Sequence, residues 1–291
     1  MALQILTNVL HDGMSLSEAA PRAAQPGGPF ATLDARDKAF ARAAATTTLR
    51  MARPLQGVLS QYLKKPLATR HRRVDAILLL SAAQILEMET PAHAVISIAV
   101  DQVRVRRADA HLDKLANAVL RKVASSRDDW RQHKSDVGAK GCFPPWMIAR
   151  WENDYGPETA EALAAASLQQ APLDITVKSD AASWAGKLDG QVLQNGTIRR
   201  TAGGRIEDLA GYDDGHWWVQ DAASAIPATL FSDVSGKTVL DLCAAPGGKT
   251  SQLAALGADV IAVDSLHNRV QKLRENLKRL KLSATCIEAD V

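Results

Sequence analysis

The chain has 291 residues, 46 % of them hydrophobic, enough for about two domains with sizeable cores. It holds no apolar run near the ~20 residues that span a bilayer and no basic leader with a small-residue cleavage site. Its three cysteines, Cys142, Cys243 and Cys286, are too few and too scattered for a disulfide framework or a zinc site. These features predict a metal-free, cytoplasmic protein that makes no use of a membrane. The net charge of +3 is unevenly spread: residues 1–140 hold 21 Lys and Arg against 13 Asp and Glu, a net of +8, and residues 141–291 hold 14 against 19, a net of −5. A basic half joined to an acidic one points to a polyanionic partner for the first half, the alternative being a helical domain that solvates itself with arginine.

Residues 1–135 read as all-helical. "ALQILTNVL" carries apolar residues at three- and four-residue spacing. "SLSEAAPR" follows a turn at Asp12-Gly13, and "AQPGGP" (24–29) is a loop. The next helix has a cap at Thr32 or Asp34 and is expected to stop at Pro54. "RRVDAILLLSAAQILEME", apolar on most faces, is expected to be the central buried helix. Pro91 opens another, and "HLDKLANAVLRKVASS" is strongly amphipathic. Two arginine clusters, "RHRR" (70–73) and "RVRR" (104–107), sit at helix edges where side chains can reach phosphates. Taken singly, each reads as a solvated turn.

"DVGAKGCFPP" (136–145) is predicted to be a linker. Two short helices split at Gly156-Pro157 follow, then a strand in "LDITVKSD", a helix in "ASWAGKLDG" and two short strands between 197 and 221. From residue 233 strands and helices alternate: "KTVLDL" (237–242), a Gly-rich loop, "KTSQLAALG", "DVIAVD" (259–264), "RVQKLRENLKRLKL" and "ATCIEAD" (284–290). This alternation predicts parallel βαβ units in a doubly wound sheet.

The loop in "DLCAAPGGKT" (241–250) ends like an ATP-binding P-loop. That motif needs G-x-x-x-x-G-K-[ST]. Here Cys243 stands at the first glycine, and Pro246 removes one backbone donor. The triphosphate reading is weakened. A cofactor carrying adenosine fits better. Gly247 and Gly248 allow close approach to the backbone, and the following helix offers unpaired N–H groups. Asp264, 23 residues beyond Asp241, is placed to hold ribose hydroxyls. Asp290 could accept a hydrogen bond from an adenine amino group.

"DLCAAPGGKT" closely resembles motif I of the cytosine-C5 RNA methyltransferases. "GYDDGHWWVQDAASA" (211–225), "NLKRLKL", "PAHAVISIAVDQVR", "LANAVLRKV" and "FPPWMIARW" are similar to further segments of the RsmB/Sun family, in order along nearly the whole chain. The resemblance implies three parts: an all-α NusB-like RNA-binding domain (1–137), a linker with a small α/β module (138–232), and the first part of a Rossmann-like methyltransferase domain (233–291). It implies S-adenosyl-L-methionine as cofactor and ribosomal RNA as partner. The cofactor would be held by Cys243, Ala244, Ala245, Pro246, Gly247, Gly248, Lys249, Asp264 and Asp290. Arg269 has two readings, a brace for Asp264 or a surface helix residue, and the second is preferred. Lys281 stands where the family has Gly after the helix, so a different cap is expected there.

The family's reaction uses a thiolate that attacks carbon 6 of cytosine and makes carbon 5 nucleophilic. A second cysteine helps release the product. The resemblance places these thiols in Thr-Cys-Ser and Asp-Ala-Pro-Cys motifs, and the 291 residues contain neither. Cys286 is expected to be a strand residue, Cys243 part of the cofactor loop and Cys142 part of the linker. The expectation is a truncated chain, inactive by itself, with an open sheet edge. The other reading is a non-catalytic RNA-binding module acting through the basic helices.

Overall fold

The computed structural model describes residues 1–25, 27–201 and 204–291. Pro26, in the expected loop 24–29, and Ala202 and Gly203, between the two strands expected in 197–221, lie outside the described residues. The chain forms two compact units, Met1–Gln169 and Gln170–Val291.

The first unit is helical: α1 (Ala2–Asp12), α2 (Leu16–Ala23), α3 (Ala35–Arg50), α4 (Ala52–Tyr62), α5 (Arg72–Leu86), α6 (Ala92–Arg104), α7 (Asp113–Ser125), α8 (Arg127–Val137), α9 (Pro145–Tyr155) and α10 (Pro157–Leu168). Local chemistry sets the boundaries. Gly13 takes φ 70° and closes α1. Ser15 and Glu18 form a capping box on α2. Asp34 caps α3 by accepting from the Asp37 N–H at 2.7 Å. Ten of the fifteen α5 residues are buried, so it is the central helix, packed among Leu55 and Leu59 of α4, Val95 and Val103 of α6, Leu120 of α7 and Trp130 of α8.

Two expectations fail here. Pro54 does not stop a helix. The break falls at Met51, and Pro54 sits in the first turn of α4, where a missing N–H leaves no bond unmade. The expected linker 136–145 begins too early, because Asp136 and Val137 belong to α8, held by the buried Trp130 ring.

The second unit holds two sheets. β1 (Leu173–Val177), β2 (Gln191–Val192), β3 (Ile198–Arg200) and β4 (Trp217–Val219) form an antiparallel sheet in the order β2-β3-β1-β4, with α11 (Ala181–Lys187) between β1 and β2 in the chain. Its core is Ile175, Leu188, Ile198 and Trp217. After α12 (Ala222–Thr229) come β5 (Thr238–Asp241), α13 (Gly248–Ala255), β6 (Asp259–Asp264), α14 (His267–Leu280) and β7 (Thr285–Glu288). The sheet β5-β6-β7 is parallel throughout, Leu240 beside Ile261 and Ile261 beside Thr285. Val260 and Ala262 of β6 pack with Leu253 of α13 and Leu273 and Leu277 of α14. β7 is shorter than expected and leaves Asp290 two residues past its end. On the outer strands Leu240 and Ile287 remain 60 % and 42 % exposed. Among the described residues no helix is long and apolar enough to cross a membrane.

Candidate functional site

β5 delivers the chain at Asp241 into the Gly-rich loop. The Asp241 carboxylate accepts from the Thr250 hydroxyl at 2.7 Å, and Thr250 is fully buried. A P-loop threonine must present that hydroxyl to magnesium, so the triphosphate reading loses its metal ligand. The loop then folds back over the end of β6. The Ala244 N–H donates to the Val263 carbonyl at 3.0 Å, and the Gly247 N–H to the Ala244 carbonyl at 2.8 Å. The peptide between Ala245 and Pro246 is cis. Gly247 has φ 106°, and a Cβ there would come within 2.6 Å of the Leu273 side chain. Only glycine meets both conditions.

α14 holds the loop from below. Arg269 donates to the Ala245 carbonyl at 2.6 Å and Asn276 to the Pro246 carbonyl at 2.8 Å. With Leu273 they lie four and three residues apart, on one helix face. Of the two readings of Arg269, the preferred one, a plain surface residue, is corrected in favour of the brace: its guanidinium also lies 3.5 Å from Asp264. The spacing from 269 to 276 was the available signal.

Asp264 is 4 % exposed. One carboxylate oxygen accepts from the Ala245 N–H at 3.1 Å, the other from the Leu266 N–H at 3.4 Å. Its bonds shape the loop, and each oxygen keeps a lone pair for a further donor. Asp290 is exposed beyond β7, and the Ala289 N–H donates to the Asp264 backbone carbonyl at 3.2 Å. Asp241, Asp264 and Asp290 thus stand at the carboxyl ends of three adjacent parallel strands, where open α/β sheets bind ligands.

Beside the loop lies a cavity of about 220 Å³. Cys243, Ala244, Ala245, Pro246, Gly248 and Lys249 line it, facing Val219, Gln220, Asp221 and Ser224 across the gap. Gly247 opens instead on a second cavity, of about 280 Å³, with Trp218, Asn276 and Arg279. A chain of buried amides braces the far wall. Trp218 donates to Gln220 at 2.9 Å, Gln220 to Gln252 at 3.1 Å, and Gln252 to the Ala225 carbonyl at 3.0 Å. Sequence reasoning missed this chain, because nothing in local spacing links residues 220 and 252.

The thiols are dispersed. Cys243 is exposed on the loop. Cys286 is half-buried on β7, and burial pushes its thiol up. Cys142, half-buried in the helical unit, is raised for the same reason. In that unit the arginines of the two clusters have separate partners. Arg106 lies 3.6 Å from buried Asp109, Arg73 bonds Gln102, and Arg104 pairs with Asp113 at 2.8 Å. Among the described residues no cluster of side chains is suited to a metal ion.

Residues 1–125 match the NusB family, and residues 228–291 match the family described as 16S rRNA methyltransferase RsmB/F. Ribosomal RNA small subunit methyltransferase B of Serratia proteamaculans is 30 % identical over 297 residues, covering 97 % of this chain and 67 % of that protein. The chain belongs to the RsmB/Sun family. The RsmB protein of Shigella sonnei is 27 % identical over 303 residues, covering all of this chain and 68 % of its own length. The crystal structure of PH0851 shares the fold, with a TM-score of 0.74 at 17 % identity, over 99 % of this chain and 68 % of that one. The RsmB/F match spans β5, β6, β7 and the Gly-rich loop, and the NusB match ends at the last residue of α7.

Proposed function

We propose that the chain binds S-adenosyl-L-methionine at the Gly-rich loop and serves C5 methylation of a cytosine in small-subunit ribosomal RNA, in the cytoplasm. The observation that carries this reading is the cavity walled by Cys243–Pro246, Gly248 and Lys249 at the carboxyl end of β5. The donor set suits the cofactor. The first N–H groups of α13 have no partner within the helix and suit the methionine carboxylate. The lone pairs left on Asp264 suit ribose hydroxyls, and Asp290 suits the adenine edge. Gly248 and the small side chains of Ala244 and Ala245 let the ligand lie against the backbone, while Gly247 gives the loop its turn. When bound, the cofactor supplies an electrophilic methyl group.

Carbon 5 of cytosine needs a thiolate at carbon 6 before it can take that methyl group. A nucleophilic cysteine needs a lowered thiol pKa and access. Burial moves Cys142 and Cys286 the wrong way, and Cys243 lines the cavity proposed here for the cofactor. These 291 residues are therefore proposed to bind cofactor and RNA without completing the transfer.

Titration calorimetry with S-adenosylmethionine tests the site. Gly248→Ala is the decisive variant, because its new methyl would meet Gln220 no closer than 3.5 Å, an ordinary separation. The fold should stand while affinity falls by about ten-fold or more, the cost of a blocked polar approach. Unchanged affinity in the variant, or no binding by the unaltered chain, sinks the reading. In a tritiated-methyl assay on small-subunit RNA the chain should transfer nothing; transfer above background would refute the claim about its thiols.

A further inference from the structure

The helical unit carries a cavity of about 680 Å³, larger than either cavity beside the Gly-rich loop. It lies between the end of α4, the 63–71 segment and α7. Leu63, Leu67 and Leu115 give it an apolar floor, and Tyr62 a half-buried ring. Lys64, Lys65, Arg70 and Lys122 line it, all exposed, and no carboxylate does so among the described residues. Four cations around one concavity repel one another and raise its potential toward an anion.

A second observation singles out Arg70. Behind the cavity lies a buried pair, His71 at 6 % and Asp109 at 0 % exposure, 2.7 Å apart. Arg70 donates its Nε–H to His71 Nε2 at 3.0 Å. An Nε2 that accepts carries no proton, so the ring proton is on Nδ1 and is given to Asp109. Asp109, His71 and Arg70 form a relay that fixes the guanidinium while leaving its terminal N–H groups for a ligand. A buried carboxylate is unfavourable unless it is paired; Asp109 is paired with His71 on the cavity side and stands 3.6 Å from Arg106.

We propose that this cavity is a subsite for a single-stranded segment of RNA. One base enters over the leucine floor against Tyr62, and the flanking phosphates meet Lys64, Lys65, Lys122 and Arg70. Unpaired bases stack on aromatic rings while cations track the backbone. The choice of RNA rests on the proposed function; the anion-binding geometry does not.

The test is fluorescence anisotropy of the full chain with a fluorescein-labelled ten-residue oligouridylate, without cofactor. The variant Lys64→Ala/Lys65→Ala/Lys122→Ala should bind about a hundred-fold more weakly, with a log–log salt slope lower by about 2, near 0.7 for each phosphate left without its lysine. Arg70→Ala should lose about ten-fold. Arg70→Lys keeps the charge but not the fork that His71 holds, and should still lose about three-fold. An equal loss in Arg36→Ala/Arg42→Ala/Arg53→Ala, three exposed cations elsewhere in the unit, would reduce the effect to bulk charge and overturn the proposal. Displacement of the strand by an equal concentration of uridine monophosphate would replace the strand with a free nucleotide and also overturn it. S-adenosylmethionine binding is measured separately on the same protein, so failure at the Gly-rich loop and failure at this cavity are distinguishable.

Discussion

Each carboxylate oxygen of Asp264 already accepts one bond from its own surroundings. The Ala245 and Leu266 N–H groups donate to it, and Arg269 stands 3.5 Å away while also holding the Ala245 carbonyl. The loop's shape therefore depends on Arg269 as much as on its glycines. Arg269→Ala removes a short bond to a buried loop and leaves Asp264 with less compensation. The expected loss is about 1–2 kcal/mol of stability, the range for a bond to a charged group. Cofactor affinity should fall further than that, because the loop is no longer held in one conformation. Urea midpoints and calorimetry on the one variant read both; a fall in stability with affinity intact would make Arg269 a structural residue only.

At the scale of elements, the strands and helices that follow residue 233 were legible because each has its own period. "DVIAVD" is β6, residue for residue. α12 was not anticipated, since Pro227 lies inside it and its short apolar run has no clear face. The start of α4 and the end of α8 were misplaced where proline and charge obscured the pattern. The glycine loop was visible as a string, but its supports at 220, 252 and 269 come from other elements and become neighbours only on folding. The Lys281 cap is the converse case. The sequence lacks the usual glycine there, yet the backbone keeps the left-handed turn, with Lys281 at φ 54° and the Leu282 N–H bonded to the Leu277 carbonyl at 3.0 Å. A side chain in that region is strained, so Lys281→Gly should add about 0.5–1 kcal/mol, read as a higher melting temperature. In the antiparallel sheet, Asp174 of β1 accepts two bonds from Arg199 of β3, at 2.7 and 2.8 Å, and one from the Ala222 N–H at the start of α12. Arg199 holds the Asp174 carboxyl below the usual aspartate range. A folded pKa below the unfolded value of about 4 adds stability that is complete above that pH and lost as pH falls through the folded value. Urea midpoints between pH 7 and 3 should fall, and Asp174→Asn should flatten that fall while lowering the midpoint at pH 7. An unchanged acid slope in the variant would assign the sensitivity to other carboxylates.

On the scale of the whole molecule, each unit buries its own core. The clusters around Leu78 and Ile5 lie within residues 1–169, and those around Leu273 and Trp217 within residues 170–291. A unit with a complete apolar core meets the physical requirement for folding alone. Residues 1–169, expressed without the rest, should give a helical circular-dichroism spectrum and one cooperative melt. A ligand stabilises only what it binds in the folded state, by about 2.7 kcal/mol at a hundred times its dissociation constant. S-adenosylmethionine should therefore raise the melting temperature of the full chain where it is followed through residues 170–291, and leave that of the 1–169 fragment unchanged. The fluorescence of Trp217 and Trp218 reports on the second unit if Trp130, Trp146, Trp151 and Trp184 are replaced by phenylalanine. A coil-like fragment would show that the helical core needs the remainder of the chain, and a cofactor-induced shift in the fragment would place a binding site where no parallel sheet exists.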